Sequence, residues 1–355
     1  MTTHPIRSLL ARILVPVLLA CWAAAAAHAQ TFTLRYGHTT AATNDSDDHI
    51  AALWLQEFLE RKSGGRVKVE IFPASQLGDF RQMLEQVQLG TLEMTQTTVG
   101  GIASFFPEIQ VTDLPYLMPS DEVAERVARG PFFDKVREEV LRRMRTVRLI
   151  AVANSGNWRS FFTTKPVKSP AELKGLKIRS IDSPLHIEFM KALGINPTPV
   201  PWGELYTAAS TGVVDGTNNS AADVMRFKLG EVMKHVILDE HMLLTGFFWI
   251  NDNWLKKLPP DLQDLVVDGV RQAASIQARF NEQVESTYRT QFVKAGGTVV
   301  TVKKEQRADF FKARDAARSW FIKQYGETWV KDYEQAIAEA QRQISVEDSR
   351  VLGRK

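Results

Sequence analysis

From Pro260 to Lys294 the chain runs with no second proline and a single glycine, Gly269. Leu265, Val266, Val270, Ala273, Ile276, Phe280, Val284 and Phe292 keep an approximately helical period through it. At 1.5 Å per residue such a helix is about 50 Å long. One compact α/β lobe does not need an element of that reach, so the stretch predicts a helix that braces two.

Strand and helix alternate through the rest. Residues 34–37 read as a strand. Asp47–Lys62 carries Ile50, Ala51, Trp54, Leu55, Phe58 and Leu59 at helical spacing and stops at Ser63-Gly64-Gly65. Val67, Val69 and Ile71 alternate with Lys68 and Glu70, a half-buried strand ending at Pro73. Phe80, Met83, Leu84 and Val87 mark a helix closed at Gly90, and a strand is expected over 92–98. Phe132, Val136, Val140 and Met144 give a further helix, followed by a strand over 147–153. Beyond the long helix come a strand over 298–302 and helices over 305–325 and 327–342. This rhythm favours sheets flanked by helices. With no repeat and no low-complexity linker, two lobes would have to be joined by crossing strands.

The N-terminus carries Arg7 and Arg12, an apolar run over 13–27, then Ala27-His28-Ala29. This reads as a secretory signal peptide over residues 1–29, cut before Gln30. The apolar run is shorter than the roughly 20 residues that span a bilayer. Leu18-Leu19-Ala20-Cys21 loosely resembles a lipobox, so lipidation of Cys21 stays open. Cys21 is the one cysteine of 355 residues, and simple cleavage would leave a chain without disulfides or thiol chemistry. Formal charge is only +3, and no basic cluster with interleaved aromatics points to nucleic acid.

Candidate binding chemistry gathers between Leu173 and Asn219. Lys177-Ile178-Arg179 would place Arg179 at the carboxyl end of a strand, where ligands of open α/β sheets lie. A guanidinium there can hold a carboxylate through two parallel hydrogen bonds; the alternative is a structural arginine. Arg159, after Gly156-Asn157-Trp158, is open to a strand-edge role. Trp202, between Pro201 and Gly203, is either a packed indole or a ligand wall. Asn219 follows the Asp215-Gly216 turn and is either a polar ligand contact or a helix N-cap. The histidines lack metal-ligand spacing, and Asp45-Ser46-Asp47-Asp48 lacks the glycine and glutamate of a calcium loop, reading instead as a helix-start cap. No Gly-x-Ser-x-Gly, phosphate-loop or Gly-x-Gly-x-x-Gly motif is present. No metal or cofactor is expected.

An ordered set of segments spread over most of the chain resembles the solute receptors of tripartite ATP-independent periplasmic (TRAP) transporters, the DctP-like family. The set is Tyr36-Gly37-His38, Gly65-Arg66-Val67-Lys68-Val69, Phe72-Pro73-Ala74-Ser75-Gln76-Leu77-Gly78, Gln88-Leu89-Gly90-Thr91-Leu92-Glu93-Met94, Asp113-Leu114-Pro115-Tyr116-Leu117, the 173–219 stretch, and Asn253-Trp254-Leu255-Lys256-Lys257-Leu258-Pro259. The resemblance implies an α/β, two-lobed periplasmic solute-binding fold with mixed sheets, crossing hinge strands and a long bracing helix. One lobe is expected from residues 30–156 and 245–290, the other from 157–244 and 291–355 with the C-terminal helices.

It also implies roles. Arg179 falls at the family's main carboxylate-binding arginine, Arg159 at an assisting one, Trp202 at a pocket wall and Asn219 at a polar contact. His38, Thr39, Phe80 and Thr98 fall at first-lobe pocket positions. Many members have Glu where this chain has Asn218, and Phe80 and Thr98 replace acids of the sialic-acid-binding members. Those losses point to a smaller or more apolar acid. The implied function is a periplasmic receptor, not an enzyme, that delivers an organic acid to the small and large membrane subunits of a permease. A secreted hydrolase or lyase, or a receptor feeding a sensor kinase, are the alternatives.

Overall fold

A computed structural model describes residues 30–351. The expected signal peptide and Cys21 lie outside the described residues. Strands and helices alternate as β1 (Phe32–Gly37), α1 (Asp47–Lys62), β2 (Val67–Phe72), α2 (Phe80–Leu89), β3 (Met94–Thr97), α3 (Val99–Ile102), α4 (Asp121–Ala128), α5 (Pro131–Met144) and β4 (Val147–Thr163). There follow β5 (Lys177–Ser180), α6 (Pro184–Ala192), β6 (Asn196–Pro199), α7 (Leu205–Ser210), β7 (Gly216–Asn219), α8 (Ala221–Arg226) and β8 (His235–Asn251). The chain continues through α9 (Asp252–Lys257), α10 (Pro260–Lys294), β9 (Thr298–Thr301), α11 (Arg307–Tyr325) and α12 (Thr328–Val351).

The strands form one mixed sheet in the order β2-β1-β3-β8-β4-β7-β5-β6, with β9 beside β8. β4 and β8 are antiparallel and 17 residues long each. Their two ends belong to different neighbourhoods. Residues 147–154 of β4 pair with the C-terminal part of β8, which pairs onward with β3. Residues 158–163 pair with the N-terminal part of β8 and, on the other side, with β7. Between these runs the register slips, from Asn154 opposite Thr245 to Trp158 opposite Leu243. Two lobes thus share a pair of crossing strands that is irregular where it passes from one to the other.

The strand expected over 147–153 therefore runs ten residues too short. Asn154-Ser155-Gly156-Asn157 looks like a turn, and Gly156 (φ 138°) and Asn157 (φ 69°) do leave the extended region. The chain does not reverse there, because Asn157 is buried and its amide donates to the Asn281 carbonyl on α10 at 2.8 Å.

The helix read over Pro260–Lys294 is α10, 35 residues long. Its buried face changes character along its length. Leu262, Val266, Val270, Ala273 and Ala274 join an apolar cluster with α1, β1 and β2; Gln277 and Asn281 are buried and polar; Tyr288 and Phe292 join a second cluster with α7 and α8. Gly269 lets α10 approach α1 closely, since a Cβ there would stand 3.0–3.1 Å from Phe58, Leu55 and Leu59.

Past β9, α11 lies on α6, while α12 returns to α4 and α5. There Trp329 and Tyr333 pack on Phe132, and Glu347 takes both arms of Arg126 at 2.7 Å each. Among the described residues no helix is long and apolar enough to cross a membrane.

Candidate functional site

The carboxyl ends of β1, β3, β5 and β7 meet the irregular middle of β4 around a small cavity of about 40 Å³. Open α/β sheets place ligands beyond such strand ends. Six of the eight residues singled out in the sequence line it: Phe80, Thr98, Arg159, Arg179, Trp202 and Asn219. Phe80 opens α2 behind an Asp79–Gln82 capping box, and Thr98 occupies the N-cap of α3.

The other two stand behind the wall. His38 is fully buried, its Nε2 3.2 Å from Nδ1 of His49 and its Nδ1 3.2 Å from the Thr40 hydroxyl. Burial, with the neighbouring His49, pushes His38 down to about 3, so its ring is neutral. Thr39 is buried away from the cavity and Thr40 lines it instead.

Arg179 is 3% exposed and Arg159 2%. On β5, Lys177 faces solvent while Ile178 and Arg179 are both buried. Arg179 Nε donates to the Val200 carbonyl at 2.9 Å, which aims the guanidinium, and its Cζ lies 5.7 Å from the centre of the Trp202 ring. Trp202 in turn packs on Phe227, with ring centres 4.1 Å apart. Arg159 Nη1 donates to the backbone carbonyl and side-chain oxygen of Asn218 at 2.8 and 3.2 Å. Asn218 is where the family resemblance leads one to expect a glutamate; a neutral amide leaves the Arg159 charge uncompensated.

Among the described residues neither arginine has a carboxylate within 4.0 Å. Burial pushes both guanidiniums down, Arg179 to about 9 with help from the Arg159 charge, so both remain protonated at neutral pH. Two buried, unpaired cations facing one cavity are costly without an anion.

Asn219 is not a helix cap. Ser220 caps α8 by accepting from the Asp223 amide at 3.1 Å, while Asn219 accepts from the Thr217 hydroxyl and donates to Asp223 at 3.3 Å.

Sequence reasoning missed the acidic side of the cavity. Asp47 and Asp48 from the first turn of α1, and Asp223 from α8, line it with Ser155, Ile181 and Leu244. The helix start read at Asp45–Asp48 is in place, with Ser46 at the N-cap of α1, but the Ser46 hydroxyl donates to Thr40 at 2.6 Å instead of capping, and Asp47 and Asp48 turn inward. Asp47 pairs with Arg226 at 3.2 Å and accepts from Gln277 and Asn281 on α10; Asp48 accepts from Gln277 at 2.7 Å. Burial raises Asp48 well above its ordinary range and pushes Asp223 up to about 7, the neighbouring Asp47 charge adding to both. The acids absent at Phe80 and Thr98 are thus replaced from other elements, which removes the ground for expecting a more apolar ligand. Among the described residues no group of three or more His, Cys, Asp and Glu is placed to hold a metal.

Comparisons with known proteins identify the family. Residues 36–324 match the family described as bacterial extracellular solute-binding protein, family 7, DctP. A solute-binding protein of Verminephrobacter eiseniae is 33% identical over 305 residues, covering 85% of this chain and 88% of its own. The 2,3-diketo-L-gulonate-binding periplasmic protein YiaO of Escherichia coli is 29% identical, covering 76% and 81%. Among solved structures, the TRAP periplasmic solute-binding protein of Desulfovibrio salexigens with bound orotic acid superposes with a TM-score of 0.81 at 28% identity, covering 87% of this chain and all of that one. The Polaromonas protein bound to D-erythronate gives 0.79 at 27% identity, covering 85% and 98%. With the family match extending through both lobes, this chain belongs to the family 7 bacterial extracellular solute-binding proteins, the receptors of TRAP transport.

Proposed function

We propose that this chain is a periplasmic receptor that captures an organic acid between its lobes and hands it to the small and large membrane subunits of a TRAP permease. The observation that carries the reading is the pair Arg159 and Arg179, both buried, both without a carboxylate partner among the described residues, and both facing one cavity. A carboxylate supplies the missing charge and can accept two parallel hydrogen bonds from a guanidinium. The related proteins from Desulfovibrio and Polaromonas hold orotic acid and D-erythronate, both carboxylic acids, and YiaO is named for a keto acid.

In this reading Arg179 anchors the carboxylate, Arg159 assists, and Asn219, Trp202, Phe80 and Thr98 shape the rest. Residues 30–156 with 245–290 and residues 157–244 with 291–355 act as the closing lobes, α12 reaching back to clasp α4 and α5. The leader over residues 1–29 directs export. A thermal-shift screen of organic acids tests the reading, because a ligand that binds only the folded chain raises its melting temperature by mass action. At least one carboxylic acid is expected to shift it. Shifts only with neutral solutes or cations would defeat it.

A further inference from the structure

Charges of both signs line the cavity. Besides Arg159 and Arg179 it presents Asp47, Asp48 and Asp223. Arg226 pairs with Asp47 at 3.2 Å and accounts for that carboxylate. Asp48 has one hydrogen bond, from Gln277, and Asp223 has one long one at 3.3 Å, from Asn219; among the described residues neither is in an ion pair. What remains is two unpaired guanidiniums and two unpaired carboxylates around a single space. Thr98, 7% exposed on the same wall, has a hydroxyl with no partner, as has the Nε of Arg159. These groups are available to a solute that enters.

Building on the carboxylate reading, we propose that the solute is zwitterionic, its carboxylate held by Arg159 and Arg179 and a positively charged nitrogen held by Asp48 and Asp223. Charge balance separates this from a simple acid. A monocarboxylate satisfies the arginines and leaves Asp48 and Asp223 without a cationic partner. A zwitterion adds no net charge and gives charges of both signs a partner. A hydroxy acid is the competing solution, and it requires a proton, because a hydroxyl can donate to an ionised aspartate without cancelling its charge. With Asp223 pushed up to about 7, a purely anionic ligand would draw that proton from solution on binding.

The test is calorimetry on the mature protein at pH 8 with matched probes. These are γ-aminobutyrate, butyrate, γ-hydroxybutyrate and butylamine, with the corresponding series built on β-alanine, valine and proline. In at least one series the amino acid is expected to bind about 30-fold or more tighter than its acid and hydroxy acid, the scale of a buried charge contact. Its heat should show no net proton uptake across buffers of different ionisation enthalpy. Asp223→Asn and Asp48→Asn should each bring the ratio of amino-acid to deaminated-acid affinity down to about one; a circular-dichroism melt shows whether each variant is folded. An acid or hydroxy acid that binds as tightly as its amino partner, or that binds with uptake of about one proton, overturns the zwitterion. So does an equal loss of both ligands in the folded variants. Failure of the underlying carboxylate reading looks different: butylamine would then bind as well as γ-aminobutyrate.

Discussion

At the residue scale, the free protein holds charge that folding alone would not favour. Arg159 is fully enclosed, its Nε has no partner, and burial depresses its pKa. Replacing buried charge by an apolar side chain of similar length often stabilises a fold. Arg159→Met should therefore raise the stability of the ligand-free protein by about 1 kcal/mol or more in urea unfolding, while weakening capture of the cognate acid. A variant that loses both stability and affinity would mean that Arg159 supports the fold.

Asp223 supplies a pH signature. Its folded-state pKa is raised from 3.8 to about 7, so the folded chain holds a proton that the unfolded chain has released. Stability from this group is present below pH 3.8 and is lost as pH rises toward about 7. Asp223→Asn should accordingly gain melting temperature over the wild type at pH 8 and show little advantage at pH 4. An advantage that is constant with pH would contradict the buried, proton-holding carboxyl.

Arg179, Arg159, Trp202 and Asn219 were singled out by the resemblance to the family, the local sequence alone leaving each open to a structural role. Asp47, Asp48 and Asp223 were not. Acids in the first turn of a helix look the same whether they favour the helix dipole or face a cavity. Here the choice is made by Gln277 and Asn281, more than two hundred residues from Asp47.

At the scale of elements, α10 was readable end to end, since apolar spacing without a breaker specifies a helix wherever it packs. Its change from apolar to polar and back is also written in the chain, as Gln277 and Asn281 between apolar positions. Which helix it meets is not, because contact with α1 depends on Gly269 lying over Phe58, Leu55 and Leu59. Gly269→Leu should lower stability by about 1–3 kcal/mol through overpacking, despite leucine's better helix propensity. Chemical denaturation measures it, and a stabilised variant would mean that the two helices do not approach as described.

The middle of β4 was the element that local reasoning cut short. Ser155-Gly156-Asn157 has turn composition and no partners in β8, yet hydrogen bonds exchanged with Gln277 and Asn281 of α10 hold the segment in place. Gly156 also permits close approach, since a Cβ there would fall 2.8 Å from Asp223 Oδ2.

For the whole molecule, burial of the site implies motion. Arg159, Arg179 and Asn219 are each 3% exposed or less, so a solute that contacts all three is expected to enter as the lobes part. The register slip between Asn154 and Trp158 lies where β4 and β8 pass between lobes, and hinge motions concentrate in such irregular segments. Small-angle scattering should show a larger radius of gyration without ligand than at saturation. Equal curves would require another route of entry.

The most direct test of the receptor mechanism is a calorimetric titration of wild type and Arg179→Ala with an organic acid that shifts the wild-type melting temperature. Leaving one buried charge without its partner costs about 3–5 kcal/mol, which is about a hundredfold to a few thousandfold in affinity. Arg179→Ala should bind weaker by that factor, and Arg179→Lys should recover little, because an ammonium lacks the planar two-point contact. If folded Arg179→Ala binds within about threefold of wild type, the carboxylate is held elsewhere and Arg179 is not its anchor.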